Sequence, residues 1–201
     1  MGQLVTEQLD DGVKALVKAD EKLVAKVIDG DDEIDRITVQ VEEQGLALLA
    51  RQAPVAVDLR LIQSLMFIAV HLERMGDLAL NIAKAARKTT VKSEGSPELI
   101  GLINKMGKKV HKVVDASLDA FDRKDCVLAQ KLPEMDEPID ALFKQFFKEL
   151  TKSTDEESLE WASNMVLASR YLERIADHAV DIGERVCYLV TGEFQEFSDQ
   201  A

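Results

Sequence analysis

A chain of 201 residues, 46% of them hydrophobic, holds enough apolar material for one core or two small ones. Aromatic residues make up only 5%, while Ala, Leu, Val, Lys, Glu and Asp dominate, a composition that points to helices. A formal net charge of −12 excludes general affinity for DNA, RNA or anionic lipid, which rests on Lys and Arg, and suits metal cations or basic partner surfaces instead.

The apolar periodicity predicts six helices. The first runs from about Gln3 to Lys18. The start, Met1-Gly2-Gln3-Leu4, shows no basic stretch leading into an apolar one, so no signal peptide is expected, and Gly2 with Thr6 reads as helix rather than as an acylation signal. The second helix begins behind Asp20, an N-cap followed by Glu21, and reaches about Arg51. Gln52-Ala53-Pro54 breaks it, because a proline drives the residue before it out of the helical region. The third helix covers about Val55 to Lys88. Thr89 to Pro97, with Ser93, Gly95 and Ser96, is the clearest linker. The fourth helix occupies about Glu98 to Asp122. The fifth starts behind Asp125 and ends near Lys152, but Pro133 and Pro138 predict that it is bent or starts late. Thr154-Asp155-Glu156-Glu157 resembles a capping box and opens a sixth helix to about Thr191, closed by Gly192. No apolar run reaches the ~18 residues of a membrane span, so membrane contact is expected only through partners.

Two of these helices carry the same text one hundred residues apart. Leu72-Glu73-Arg74-Met75-Gly76-Asp77 is matched by Leu172-Glu173-Arg174-Ile175-Ala176-Asp177, Ala79 by Ala179, and Asn81 by Asp181. Asp20, Asp31 and Asp35 correspond to Asp125, Asp136 and Asp140 at a single shared offset. The chain therefore reads as two three-helix units, residues 1–92 and 97–193, followed by a loose tail, 194–201.

At about 100° per residue, Leu65, Ala69, Leu72, Gly76, Ala79 and Ala83 form the core face of the third helix. Glu73, Asp77 and Asn81 stack beside it, one turn above another. In the sixth helix Met165, Leu172, Ala176, Ala179 and Gly183 face inward, and Glu173, Asp177, Asp181 and Glu184 run beside them. If the neighbouring helices pack side by side, Asp31 with Asp35, and Asp136 with Asp140, bring four carboxylates together in each half. Like charges so gathered repel, and a cation relieves the repulsion. Oxygen-only ligands suit Mg²⁺, Ca²⁺ or Mn²⁺, and bridging carboxylates also hold iron clusters. Acids four apart are more often a plain solvated face, and Arg74 and Arg174 each stand three residues before an aspartate, where a surface ion pair is worth a few tenths of a kcal/mol. The duplication is what favours a site.

Other chemistry is sparse. His71, His111 and His178 fall on different helices, and His178 reads as a surface residue pointing away from the acidic stripe. There is no Glu-x-x-His pair of the di-iron bundle type, no phosphate loop, and no nucleophile with a base. Trp161 and the Phe143, Phe146, Phe147 group read as core. Cys126 and Cys187 lack metal-ligand spacing and read as buried thiols in a reducing cytosol.

Residues 50–60, Ala-Arg-Gln-Ala-Pro-Val-Ala-Val-Asp-Leu-Arg, the motif at 72–83 and its second copy at 171–184 resemble the PhoU family of phosphate-uptake regulators, in order and over essentially the whole chain. The resemblance implies two three-helix bundles related by a pseudo-twofold axis. It implies metal clusters of iron, zinc or other cations, Mn²⁺ and Mg²⁺ among them, on Asp31, Asp35, Glu73 and Asp77 and on Asp136, Asp140, Glu173 and Asp177. Asn81 and Asp181 are further candidates whose difference implies unequal sites, and the first helix is short for the family. The resemblance also implies a cytoplasmic adaptor, peripheral to the inner membrane through its partners. Those partners are the ATPase of a phosphate ABC transporter and a sensor histidine kinase, and the adaptor restrains the phosphate-starvation response. An adaptor rather than an enzyme is therefore expected, and a bundle with spare apolar surface is expected to form a homodimer. Two other readings are an accessory of a low-affinity phosphate permease without a kinase, and a carboxylate-bridged metalloenzyme.

Overall fold

In a computed structural model, which describes residues 1–89, 96–152 and 159–197, every regular element is a helix: α1 (Gly2–Lys18), α2 (Glu21–Gln52), α3 (Ala56–Thr89), α4 (Pro97–Arg123), α5 (Cys126–Ala129), α6 (Leu132–Leu150) and α7 (Leu159–Thr191). The expected all-helical fold of two tandem three-helix units is what the chain adopts, with α5 a single extra turn. Most of the linker and the capping box at Thr154-Asp155-Glu156-Glu157 lie outside the described residues.

The repeat extends to the corners of the chain. Ala19 leaves α1 at φ 53°, and the Asp20 carboxylate then accepts from the Lys22 and Leu23 amides at 2.9 and 3.3 Å. In the second half Lys124 leaves α4 at φ 53°, and Asp125 accepts from the Leu128 amide at 3.0 Å. Each corner joins a left-handed C-terminal residue to an aspartate N-cap, which satisfies amides that no helical carbonyl reaches. Ser96 and Pro97, read as linker, instead open α4. Ser96 caps it, and Pro97 stands at its first position, where the missing N–H is not needed.

The fifth predicted helix is two pieces. α5 ends after one turn, and α6 begins at Leu132 with Pro133 in its first turn. That late start is where proline is tolerated. Pro138 lies inside α6 and removes one ladder bond there.

One core runs through both units. It joins Val5, Leu9, Met75 and Ile82 from the first to Ile103, Met106, Ile139, Phe146, Met165 and Leu172 from the second. α3 and α7 lie at its centre, antiparallel, so that the start of α3 at Arg60 meets the end of α7 at Gly192. α1 and α2 cover α3, α4 and α6 cover α7, and α1 packs on α4. Close approach fixes some positions: a Cβ on Gly12 would stand 3.0 Å from the carbonyl oxygen of Ala79.

Three core expectations change. Leu65 is 39% exposed, because α1 has 17 residues against 32 and 34 in α2 and α3. At 1.5 Å per residue it spans about 25 Å of their roughly 50 Å, so α1 does not reach the ends near Pro54. Phe146 is fully buried and Trp161 partly so, but Phe147 is exposed and meets Phe143 edge to face at 5.0 Å. Cys126 and Cys187 are not free thiols. They form a disulfide across 61 residues, with Cα atoms 4.7 Å apart, because the short α5 turns Cys126 onto the last turns of α7. The first residues after α7 fold back on it: the Phe197 amide donates to Glu184 at 2.6 Å.

Candidate functional site: two acidic clusters and a histidine pair

In the first half α2 and α3 pack side by side and bring Asp31, Asp35, Glu73 and Asp77 into one neighbourhood. Asp31 is half-buried and accepts from Gln8 Nε2 at 3.4 Å, and the same amide donates to the Val27 carbonyl at 3.2 Å. Lost hydration pushes the Asp31 carboxyl up, and the charges of Asp35 and Asp77 add to it. Glu73 is pushed up for the same reasons, with burial the largest and Asp77 next. Arg74 answers part of this charge, 3.4 Å from Glu73 and 3.2 Å from Asp77.

The second half repeats the arrangement with different detail. Burial pushes the Glu173 carboxyl up, with Asp177 and Asp140 adding, and burial followed by Asp140 does the same to Asp177. The arginine that binds Glu173 is Arg170, one turn before Arg174, whose expected partner is Asp177. Asp136 is half-buried on α6, one turn before Asp140. Both sets lie beside the core face and keep an open side. Only oxygen is offered, the donor type that hard cations take, but among the described residues neither set brings three ligand atoms within 4.8 Å of one another.

Asn81 and Asp181 occupy matching positions, but Asp181 serves a third cluster. Among the described residues, His71, His178 and Asp181 are the group whose ligand atoms all lie within 4.8 Å of one another. His71 Nδ1 is 3.2 Å from His178 Nδ1 and 3.3 Å from Asp181 Oδ2, and His178 Nδ1 is 3.4 Å from the same oxygen. The histidines hold the Asp181 carboxyl far below the usual carboxylate range against the effect of its burial. His178 is therefore not a solitary surface residue: the antiparallel α3–α7 contact folds it inward against His71. The repeat signals that two central helices meet, but not in which register. Two matching helices at the centre of a pseudo-twofold fold run antiparallel, so residues at equal distances from the axis meet. His71 also stacks on Phe67 at 4.2 Å, and the Arg185 guanidinium lies over Phe67 at 3.9 Å. His111, on α4, bridges Asp10 of α1 and Asp115, each at 3.0 Å.

The model of the PhoU domain matches residues 1–86 and again 103–186, the two halves described above. A phosphate-specific transport system accessory protein PhoU homolog of Pseudomonas aeruginosa is 38% identical over 96% of this chain and 80% of its own length. A homolog of the same description from Clostridium acetobutylicum is 34% identical over 99% of this chain and 91% of its own. The crystal structure of PhoU from Pseudomonas aeruginosa superimposes with a TM-score of 0.91 at 37% identity, covering 96% of this chain and 93% of that one. The phosphate transport system regulatory protein PhoU from Streptococcus pneumoniae gives 0.87 at 31%, covering 96% and 91%. With both halves matched in order and the fold shared from end to end, the chain belongs to the PhoU domain family.

Proposed function

We propose that this chain is a non-catalytic regulator of phosphate transport. It works in the cytoplasm as an adaptor between the ATPase of a phosphate ABC transporter and a sensor histidine kinase, and keeps the starvation response low when phosphate is plentiful. The observation that carries the reading is the end-to-end likeness to relatives described as phosphate-specific transport accessory proteins. The duplicated acidic faces support it. They offer two similar surfaces to basic partner patches, and charge complementarity sets partner choice and approach rate. Each face holds a divalent or multinuclear cation, of iron, zinc, manganese or magnesium, which offsets its mutual repulsion. The exposed apolar residues near Pro54, including Leu46, Leu59 and Leu65, offer surface for a second copy of the chain.

The test is alkaline phosphatase activity in phosphate-rich cells lacking the gene. High activity, returned to low by the wild-type chain, is the expected result. Unchanged low activity overturns the kinase-linked adaptor and directs the measurement to phosphate uptake. The variant Glu73→Ala/Asp77→Ala/Glu173→Ala/Asp177→Ala is expected to lose bound metal by elemental analysis and to fail to restore low activity. If it keeps both metal and regulation, the acidic faces have no part in the mechanism.

A further inference from the structure

We propose that His71, His178 and Asp181 bind a single transition-metal dication of the zinc class, separate from the acidic clusters, that clamps the first repeat to the second. The geometry carries it. The three atoms form a triangle with edges of 3.2, 3.3 and 3.4 Å. Ligands about 2.0–2.1 Å from a tetrahedral zinc ion stand about 3.3–3.4 Å from one another, so the triangle is already one face of such a site.

Hydrogen bonds alone do not close the triangle. An imidazole Nδ1 carries one proton or none, and a carboxylate oxygen only accepts. If both histidines donate to Asp181, no hydrogen bond runs along the 3.2 Å edge between their Nδ1 atoms. If one donates to the other, the acceptor's lone pair faces Asp181 with no proton between them. Whatever the tautomers, at least one edge is left without a hydrogen bond. One cation satisfies all three lone pairs together.

The donor set selects the ion class. Two imidazoles and one carboxylate suit zinc and its transition-metal neighbours rather than Mg²⁺ or Ca²⁺, which take oxygen. The histidine side chains are 16% and 18% exposed and Asp181 43%, so the covered side is formed by the rings and a fourth position remains toward solvent for water. The Phe67 stack holds the His71 ring in place. One ligand comes from α3 and two from α7, so occupancy ties the halves together. The site exists once: the matching positions one hundred residues away hold Tyr171, Leu78 and Asn81, which cannot supply the set.

The experiment uses the full chain, stripped with a chelator and titrated with Co²⁺ and then Zn²⁺. Expected are intense visible bands of four-coordinate Co²⁺ saturating at one equivalent, their displacement by Zn²⁺, and a rise in melting temperature with Zn²⁺. His71→Gln, His178→Gln and Asp181→Asn each abolish the bands and reduce the rise, and each weakens zinc binding at this site by more than the ~10–100-fold that loss of an outer partner costs. His71→Tyr, which places the second repeat's residue in the first, keeps the helical circular dichroism and gives the same loss. Asp31→Asn/Glu73→Gln retains the bands. Absence of four-coordinate bands in the wild type, or their survival in folded His71→Tyr, overturns the proposal.

Discussion

At the scale of single residues, the corners show how a repeat is kept where its sequence has drifted. Ala19 and Lys124 share no chemistry, yet both take the left-handed conformation one residue before a capping aspartate. An L-residue there costs roughly 1–2 kcal/mol, and glycine escapes this at an entropic cost of about half as much. Ala19→Gly and Lys124→Gly are each expected to stabilise the chain by roughly 0.5–1 kcal/mol in urea unfolding. Asp20→Ala and Asp125→Ala are expected to cost about 1 kcal/mol each. A null result at one corner alone would show that the two caps are not equivalent. The caps were legible because aspartate at a helix start is a local device. The His71–His178 contact was not, because it depends on the register of α3 against α7, which no local pattern states.

At the scale of elements, helix ends followed from Asp20, Pro54 and Asp125, and the duplicated motif placed Glu73, Asp77, Glu173 and Asp177 on matching faces. The break between α5 and α6 was half-legible: Pro133 announced a late start but not the preceding turn. The bond between Cys126 and Cys187 was hidden, since 61 residues separate the cysteines and a four-residue helix brings them together. Closing a loop of that length is worth about 2–4 kcal/mol. Cys126→Ala/Cys187→Ala is accordingly expected to unfold at lower urea, and a reductant is expected to bring the wild type to a similar midpoint. Packing between elements is equally exacting. Gly12→Ala forces α1 away from the Ala79 carbonyl and is expected to destabilise by about 1–3 kcal/mol.

At the scale of the whole molecule, the halves look alike but do not stand alone. α3 and α7 each bury apolar side chains against the other, and the core has no seam between them. Cut in the linker, the chain becomes two pieces that must find each other by collision, and their union then depends on concentration. Joined, they meet at an effective concentration in the millimolar range for a short flexible connection. Residues 1–92 and 97–201 produced separately are expected to self-associate or aggregate, and produced together to copurify as a pair whose dissociation follows dilution. Fusion has thus turned a second-order assembly into a first-order folding step, and it frees each copy to acquire residues that the other lacks.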